Sequence, residues 1–151
     1  MSKKNAKSDK NQNSTVIVEE LSSETGSVGI LTLNLEKTLN SLTLEMVHTL
    51  TASLKTWADD DSIKAVILRG AGDRAFCAGG DVLALYQSAI NPIDGICVEA
   101  EEFFLHEYQL DYLIHTYEKP IICLGNGIVM GGGLGLMAGA SHRVVTETTR
   151  I

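Results

Sequence analysis

Two glycine-rich segments contain the residues whose types and spacing could do chemistry: FCAGGD at residues 76–81 and MGGG at residues 130–133. Each follows a short apolar run that predicts a buried strand, and α/β folds place their sites at the ends of such strands. The second segment opens a helix, whose first-turn N–H groups lack partners and favour negative charge. One N–H from each segment can therefore converge on a single oxygen as an oxyanion hole. The alternative is that these glycines serve only as turn residues.

Other glycine-loop and nucleophile motifs are absent from the sequence. The chain has no Gly-Lys pair, so it has no P-loop. A dinucleotide-binding fingerprint that starts at Gly125 and Gly127 fails, because Met130 stands at its last glycine position. A GxSxG nucleophile motif is also missing. We expect no metal site, because the histidines lack metal-ligand spacing: His48, His106, His115 and His142.

Composition excludes several classes of function. The chain has 151 residues, of which 44% are hydrophobic, enough for one domain with a core. Its net charge of −7 argues against broad attraction to nucleic acid, and no apolar run reaches the roughly 18 residues of a membrane helix, so we expect neither partner. The cysteines form no CxxC motif, which favours a reducing compartment and predicts a cytoplasmic location: Cys77, Cys97 and Cys123.

Hydrophobic periodicity predicts the elements that position the two segments. Two β-rich runs around a Gly/Ser turn predict an antiparallel strand pair, and three- and four-residue steps after Thr43 predict an amphipathic helix capped by Ser41 or Thr43. Strands and helices that alternate along the chain predict an α/β fold. The predicted strands are residues 16–21, 28–33, 65–68, 121–124 and 143–145, and the later helices are residues 82–89, about 97–117 and one after the second segment.

The sequence also makes predictions for the N-terminal residues and for one face of the long helix. The first fourteen residues contain almost nothing to bury, and they predict a disordered tail. The long helix has a predicted apolar face formed by Phe103, Phe104, Leu110 and Leu113 or Ile114.

The two segments with their flanks, RAFCAGGDV and KPIICLGNGIVMGGGLGL, resemble the crotonase (enoyl-CoA hydratase/isomerase) superfamily from about residue 16 to the end. The stretches FFLHEYQLDYLIHTYEKP and SHRVVTETTR are similar to its 3-hydroxyisobutyryl-CoA hydrolase branch. The resemblance implies a crotonase-like ββα superhelix. Residues 15–151 would then be the N-terminal portion of an acyl-CoA-binding domain, truncated at its C-terminus.

The resemblance also implies roles for individual residues. The backbone N–H groups of Gly80 and Gly132 match the pair that polarises the thioester carbonyl of an acyl-CoA. The carbonyl of Ala78 matches a contact to the adenine of coenzyme A. Glu107 matches a carboxylate that the hydrolase branch places at the acyl pocket. For Asp81, the residues themselves favour a cap of the following helix over a catalytic role.

Two departures from the family pattern matter for the reaction. Hydratases carry a glutamate two residues after the glycine triplet, where this chain has Gly135, which argues against hydration. The hydrolase branch supplies its main catalytic glutamate and a nearby aspartate just beyond a segment like SHRVVTETTR, so we expect these carboxylates beyond Ile151. The carboxylates near the two segments are Asp73, Asp81 and Glu107. We therefore expect residues 1–151 alone to be inactive.

The expected activity is hydrolysis of an acyl-CoA thioester, with 3-hydroxyisobutyryl-CoA of valine catabolism as the substrate. Coenzyme A enters as part of the substrate, and no separate cofactor is expected. The resemblance further implies a homo-oligomer. Two alternatives remain open: an enoyl-CoA hydratase or isomerase, and a non-catalytic CoA-binding fragment.

Overall fold

A computed structural model describes residues 14–151. The predicted disordered tail of residues 1–14 lies outside the described residues, apart from Ser14. The elements in chain order are β1 (Val16–Ser23), β2 (Gly26–Leu33), a 3-10 helix (Glu36–Thr38), α1 (Leu44–Ala58), β3 (Ile63–Gly70), β4 (Ala75–Cys77), α2 (Val82–Ile90), α3 (Val98–His115), β5 (Ile121–Gly125), β6 (Ile128–Val129), α4 (Gly132–Gly139) and β7 (His142–Val145).

A five-stranded sheet in the order β1-β2-β3-β5-β7 forms the frame of the fold. Strands β1 and β2 are the predicted antiparallel pair, with Val16 opposite Leu33. Strands β2, β3, β5 and β7 run parallel to one another. The α/β prediction is therefore confirmed. Because parallel strands end at the same edge of a sheet, the chain leaves β3 and β5 side by side, immediately before the two glycine segments.

Strands β4 and β6 form a separate parallel pair above that edge, with Ala75 opposite Ile128 and Cys77 opposite Val129. They have only three and two residues, so neither shows a readable hydrophobic period. This pair joins the start of one glycine segment to the start of the other.

The predicted helices are present, with ends within about two residues of the expected ones. Helix α1 begins after Thr43, whose side chain accepts a hydrogen bond of 3.2 Å from the Met46 N–H, so Thr43 rather than Ser41 is the cap. The helix ends at Asp59, the first of three consecutive aspartates. Its buried face consists of Met46, Val47, Leu50, Leu54 and Trp57.

Helix α3 differs from its prediction in one position. Phe104 was expected on the apolar face, but its side chain is 40% exposed. The buried stripe instead contains a carboxylate at its centre, and it consists of Phe103, Glu107, Leu110 and Ile114. These residues recur at steps of four, three and four, so the helical period holds although one of its members is charged. No helix within residues 14–151 combines the length and the apolar character needed to cross a membrane.

Asn40 fastens the segment before α1 to the loop after β3. Its side chain is 1% exposed and makes three hydrogen bonds: Oδ1 accepts from the Leu35 N–H at 3.0 Å, and Nδ2 donates to the Ala71 and Ala75 carbonyls at 3.0 and 2.9 Å. Its backbone is left-handed, with φ of 54°, a conformation that asparagine tolerates better than most residues. This contact holds Leu42, two residues later, beside the first glycine segment.

We predict that Asn40→Ala lowers the free energy of unfolding by about 2–4 kcal/mol, because it leaves buried backbone groups without partners and strains a left-handed residue. Urea unfolding followed by circular dichroism measures the change. Asn91→Ala, at an exposed asparagine, is the control and should change the free energy by less than about 0.5 kcal/mol. Equal effects of the two substitutions would contradict the role of Asn40.

Candidate active site

The backbones of the two glycine segments lie against each other. A Cβ built on Gly79 would lie 3.3 Å from the Met130 carbonyl oxygen, 3.5 Å from the Gly131 Cα and 3.7 Å from the Gly132 nitrogen. Gly79 and Gly131 also have left-handed backbones, with φ of 107° and 50°, which glycine adopts without strain. The Met130 N–H donates a 3.0 Å hydrogen bond to the Cys77 carbonyl and ties the segments together.

The Gly80 N–H is directed away from the neighbouring strand segment. Gly80 forms a parallel bridge with Leu42, in which the Leu42 N–H donates to the Gly79 carbonyl at 2.7 Å and the Asp81 N–H donates to the Leu42 carbonyl at 2.9 Å. Because backbone groups alternate along an extended segment, the N–H of Gly80 itself points to the opposite side. It donates to no acceptor within the described part of the chain.

The Gly132 N–H belongs to the first turn of α4. Gly132 is the first residue of this helix, and N–H groups at that position have no intrahelical partner. Within residues 14–151 the Gly132 N–H has no acceptor, whereas the next two N–H groups along the chain donate to the carbonyls of Met130 and Gly131. The helix dipole adds partial positive charge at this end. Two unpaired N–H groups from the predicted segments thus face the same region, as an oxyanion hole requires.

A cavity of about 410 Å³ joins these N–H groups to the face of α3 that packs on α4. Its polar lining comes from both glycine segments and from two carboxylates of α3. Its apolar lining comes from α2 and α3. The lining residues are Gly80, Val82, Leu85, Phe103, Phe104, Glu107, Tyr108, Asp111, Gly131, Gly132 and Gly135.

Glu107 lies directly against the second glycine segment. Its side chain is 4% exposed, and its Oε1 has no hydrogen-bond partner among the described residues. A Cβ on Gly132 would overlap this oxygen. Burial raises the pKa of the Glu107 carboxyl, and the negative charge of Asp111 raises it further. The structure therefore brings Gly80, Gly132 and Glu107, three of the four predicted site residues, to one cavity.

Asp111 is a site residue that sequence reasoning missed. It follows Glu107 by one helical turn, so both carboxylates project from the same face of α3. Its Oδ1 is buried and has no hydrogen-bond partner among residues 14–151, and a Cβ built on Gly135 would lie 2.6 Å from its Oδ2. Burial raises the pKa of Asp111 to about 6. The four-residue spacing from Glu107 was the signal that could have found it.

The remaining residues predicted at or near the site have separate positions. Asp81 caps α2, because its side chain accepts hydrogen bonds from the Leu83 and Ala84 N–H groups at 3.1 and 3.2 Å, which confirms the cap. Asp73 lines a different cavity with Arg74 and is not part of the site. The Ala78 carbonyl accepts no hydrogen bond within the described residues, and its contact to adenine stays a prediction.

The thiols near the site are not suited to nucleophilic chemistry. Burial raises the pKa of Cys77 to about 11 and that of Cys123 to about 12, so both are protonated at neutral pH. The thiolate, not the thiol, is the nucleophile and metal ligand. Over residues 14–151, no group of three His, Cys, Asp or Glu side chains is arranged to hold a metal ion.

Comparison with known proteins gives the site a family context. Residues 28–151 match the family model described as enoyl-CoA hydratase/isomerase. The mitochondrial 3-hydroxyisobutyryl-CoA hydrolase of Danio rerio is 44% identical over 133 residues, which cover 87% of this chain and 33% of that protein. The 3-hydroxyisobutyryl-CoA hydrolase 1 of Arabidopsis thaliana is 45% identical over 136 residues, 90% of this chain and 34% of that protein. The chain thus spans about a third of the length of these curated relatives.

Solved structures share the fold. A carnitinyl-CoA dehydratase from Mycobacterium thermoresistibile is 50% identical with a TM-score of 0.81, covering 91% of this chain and 38% of that one. An enoyl-CoA hydratase from Rhodobacter sphaeroides is 36% identical with a TM-score of 0.80, covering 89% and 38%. The expected crotonase-like fold is confirmed.

We predict that Asp111→Asn stabilises the protein at pH 8 and not at pH 4. Because burial raises the pKa of Asp111 from 3.8 to about 6, the folded state holds this proton more tightly than the unfolded state. The contribution of Asp111 to stability is therefore fully present below about pH 4 and is lost as the pH rises through about 6. Solvent at the cavity screens part of the free-energy cost of ionising Asp111. We expect the melting temperature at pH 8 to rise by about 2–4 °C, the shift that ~1 kcal/mol gives in a domain of this size.

Differential scanning calorimetry at both pH values measures this effect. Glu101→Gln, which removes an exposed carboxylate from the first turn of the same helix, is the control and should not raise the melting temperature at either pH, because its negative charge is favourable at this end of α3. If Asp111→Asn had the same effect at pH 4 as at pH 8, ionisation of Asp111 would not be the cause.

Proposed function

Because this chain belongs to the enoyl-CoA hydratase/isomerase family, we propose that the full gene product binds an acyl-CoA and hydrolyses its thioester, with 3-hydroxyisobutyryl-CoA as the substrate. The names of the curated relatives support the choice of substrate. The observation that carries the proposal is the pair of unpaired N–H groups, Gly80 and Gly132, at one cavity beside the buried carboxylate of Glu107.

In the proposed reaction, the thioester carbonyl oxygen accepts hydrogen bonds from the Gly80 and Gly132 N–H groups. Water adds to the carbonyl carbon, and negative charge develops on the oxygen in the tetrahedral intermediate. Donors fixed in advance stabilise this charge without reorganising, and the N-terminus of α4 adds to the effect. The intermediate then collapses, the carbon–sulfur bond breaks, and the coenzyme A thiolate leaves and takes up a proton.

Activation of water requires a base, which an oxyanion hole does not supply. The catalytic glutamate and aspartate expected beyond Ile151 stay a prediction, as does the inactivity of residues 1–151 alone. The proposal places Glu107 at the acyl chain, because its Oε1 lies against Gly132. It includes no cofactor other than the coenzyme A of the substrate. A homo-oligomeric assembly and a cytoplasmic location also stay predictions.

Hydration of an enoyl-CoA is the second candidate, and the names of the two solved relatives favour it. Against it, position 135 is a glycine whose missing side chain leaves room for Asp111. The test is to incubate the full gene product with 3-hydroxyisobutyryl-CoA and separately with an enoyl-CoA. Release of free thiol from the first supports hydrolysis, and loss of enoyl absorbance in the second supports hydration. Binding of both without turnover would identify a CoA-binding protein.

We predict that Gly132→Pro lowers the kcat of thioester hydrolysis at least about 100-fold relative to Gly132→Ala, because proline removes an oxyanion donor. Proline suits the first position of a helix, so α4 should still form. Both side chains displace Glu107, since any Cβ at this position overlaps its Oε1. The alanine variant is therefore the control for that displacement. The difference in kcat between the two variants measures the contribution of the Gly132 N–H. Equal kcat values would remove the Gly132 N–H from the mechanism.

We also predict that Glu107→Gln lowers kcat/KM for 3-hydroxyisobutyryl-CoA about tenfold more than for isobutyryl-CoA. Glutamine keeps the size of the side chain but removes the charge, and hydrogen bonds to charged groups contribute about 1.5–3 kcal/mol. Steady-state kinetics on both substrates give the ratio, with Glu101→Gln as the exposed control. The same loss on both substrates would show that Glu107 does not contact the hydroxyl group.

A further inference from the structure

We propose that Asp111 is a specificity-determining residue of this site: together with Glu107 it forms a carboxyl pair, hereafter the α3 pair, that recognises a hydroxyl group on the acyl chain. The inference rests on the proposed function, because it assigns a role in an acyl pocket. It adds a residue that the two glycine segments and the family pattern do not point to.

The first observation is the absence of any partner for the α3 pair. Glu107 Oε1 and Asp111 Oδ1 are both buried, and neither has a hydrogen-bond partner within residues 14–151. Among the described residues, no lysine or arginine lines the cavity. Buried polar atoms nearly always have a partner, and those that lack one call for an explanation. Two acceptor oxygens that face a cavity are explained by a ligand that brings a hydrogen-bond donor.

The second observation is that α4 leaves room for both carboxylates. Glu107 occupies the space that a side chain at Gly132 would fill, and Asp111 occupies the space at Gly135, where a Cβ would lie 2.6 Å from its Oδ2. The α3 pair therefore lies along the first turn of α4, beginning at the residue whose N–H faces the thioester oxygen in the proposed reaction. The packing of α3 on α4 places both carboxylates at this position.

The third step is the position of Asp111 along α4. Gly135 follows Gly132 by three positions, which corresponds to roughly 4.5 Å along a helix. Asp111 thus lies one step farther from the oxyanion donors than Glu107 does. A hydroxyl on the β carbon of an acyl chain is likewise displaced from the carbonyl carbon by two carbon–carbon bonds and one carbon–oxygen bond. The carbonyl oxygen at Gly132 and a hydroxyl near Asp111 are therefore compatible with one extended acyl chain.

The chemical character of the ligand group follows from the α3 pair. Burial raises the pKa values of both carboxyls, and it raises that of Asp111 to about 6, so the protonated form of each carboxyl is favoured relative to a carboxyl in water. A hydroxyl group both donates and accepts, so it can pair with an ionised carboxylate or with a protonated carboxyl. A site of this kind discriminates strongly against an analogue without the hydroxyl, because the buried acceptors are then left unpaired.

The test uses the full gene product and two substrates that differ only in the hydroxyl group, 3-hydroxyisobutyryl-CoA and isobutyryl-CoA. We expect Asp111→Asn to lower the ratio of their kcat/KM values about tenfold, mainly through KM of the hydroxylated substrate. Glu101→Gln, the exposed control on α3, should leave the ratio unchanged. A purely structural role would lower turnover of both substrates equally, and that result, or an unchanged ratio, overturns the proposal.

A second variant covers the case in which Asp111→Asn does not fold. Gly135→Ala keeps the carboxylate but displaces it, because the new Cβ would lie 2.6 Å from Asp111 Oδ2. Alanine is also the better helix former, so α4 should not weaken. The substrate ratio should fall in this variant as well. A Gly135→Ala protein with the wild-type ratio would contradict the role of Asp111.

Binding measurements separate this inference from the proposed function. If the wild-type protein hydrolyses neither substrate, the proposed function fails, but calorimetry can still compare the Kd values of the two CoA thioesters. Tighter binding of the hydroxylated thioester by wild-type protein, lost in Asp111→Asn, supports the α3 pair. Equal Kd values for both thioesters in wild-type protein overturn it.

Discussion

The backbone of residues 76–81 lies against the backbone of residues 130–133, and the rest of the site depends on this contact. It requires glycine at positions 79 and 131, because both backbones are left-handed and a Cβ on Gly79 would press on the opposite segment. The parallel arrangement of β3 and β5 brings the two segments to one edge of the sheet, and the β4–β6 pair joins their first residues. Asn40 then fixes the segment before α1 against the first glycine segment, where Leu42 forms backbone hydrogen bonds with Gly79 and Asp81.

The site is built at a cost to stability. Helix α3 packs through apolar residues on both sides of Glu107, yet one turn later it also half-buries Asp111, and neither Glu107 Oε1 nor Asp111 Oδ1 has a hydrogen-bond partner among the described residues. Burying such groups without compensation destabilises a fold. The neighbouring contacts of Phe103, Leu110 and Ile114 with the core offset this cost. Such a compromise is typical of functional sites, where a local rule is broken and the surrounding structure compensates.

Sequence reasoning predicts most of the frame because its signals are local. The strand pair, the helices and the caps at Thr43 and Asp81 follow from periodicity and from side chains that bond their own backbone. Phe104, the residue wrongly assigned to the apolar face of α3, lies next to the buried stripe. The prediction was wrong there because the stripe contains a carboxylate, Glu107, which interrupts its apolar period. Asn40 was missed because the carbonyls of Ala71 and Ala75 that it binds lie far away in sequence, and Asp111 because the glycine that makes room for it, Gly135, lies on another helix.

The case of Asp111 shows how the glycines of α4 and the carboxylates of α3 depend on each other. At Gly132 the missing side chain both leaves the N–H accessible and accommodates Glu107, and at Gly135 it accommodates Asp111. Neither helix reveals this arrangement by itself, since the sequence of α4 predicts only a glycine-rich turn that opens a helix and the sequence of α3 only a helix with an apolar face. A side chain at position 132 or 135 would exclude one carboxylate from the cavity. The composition of α4 therefore determines which polar groups α3 can present to an acyl chain, and the two helices form one functional unit.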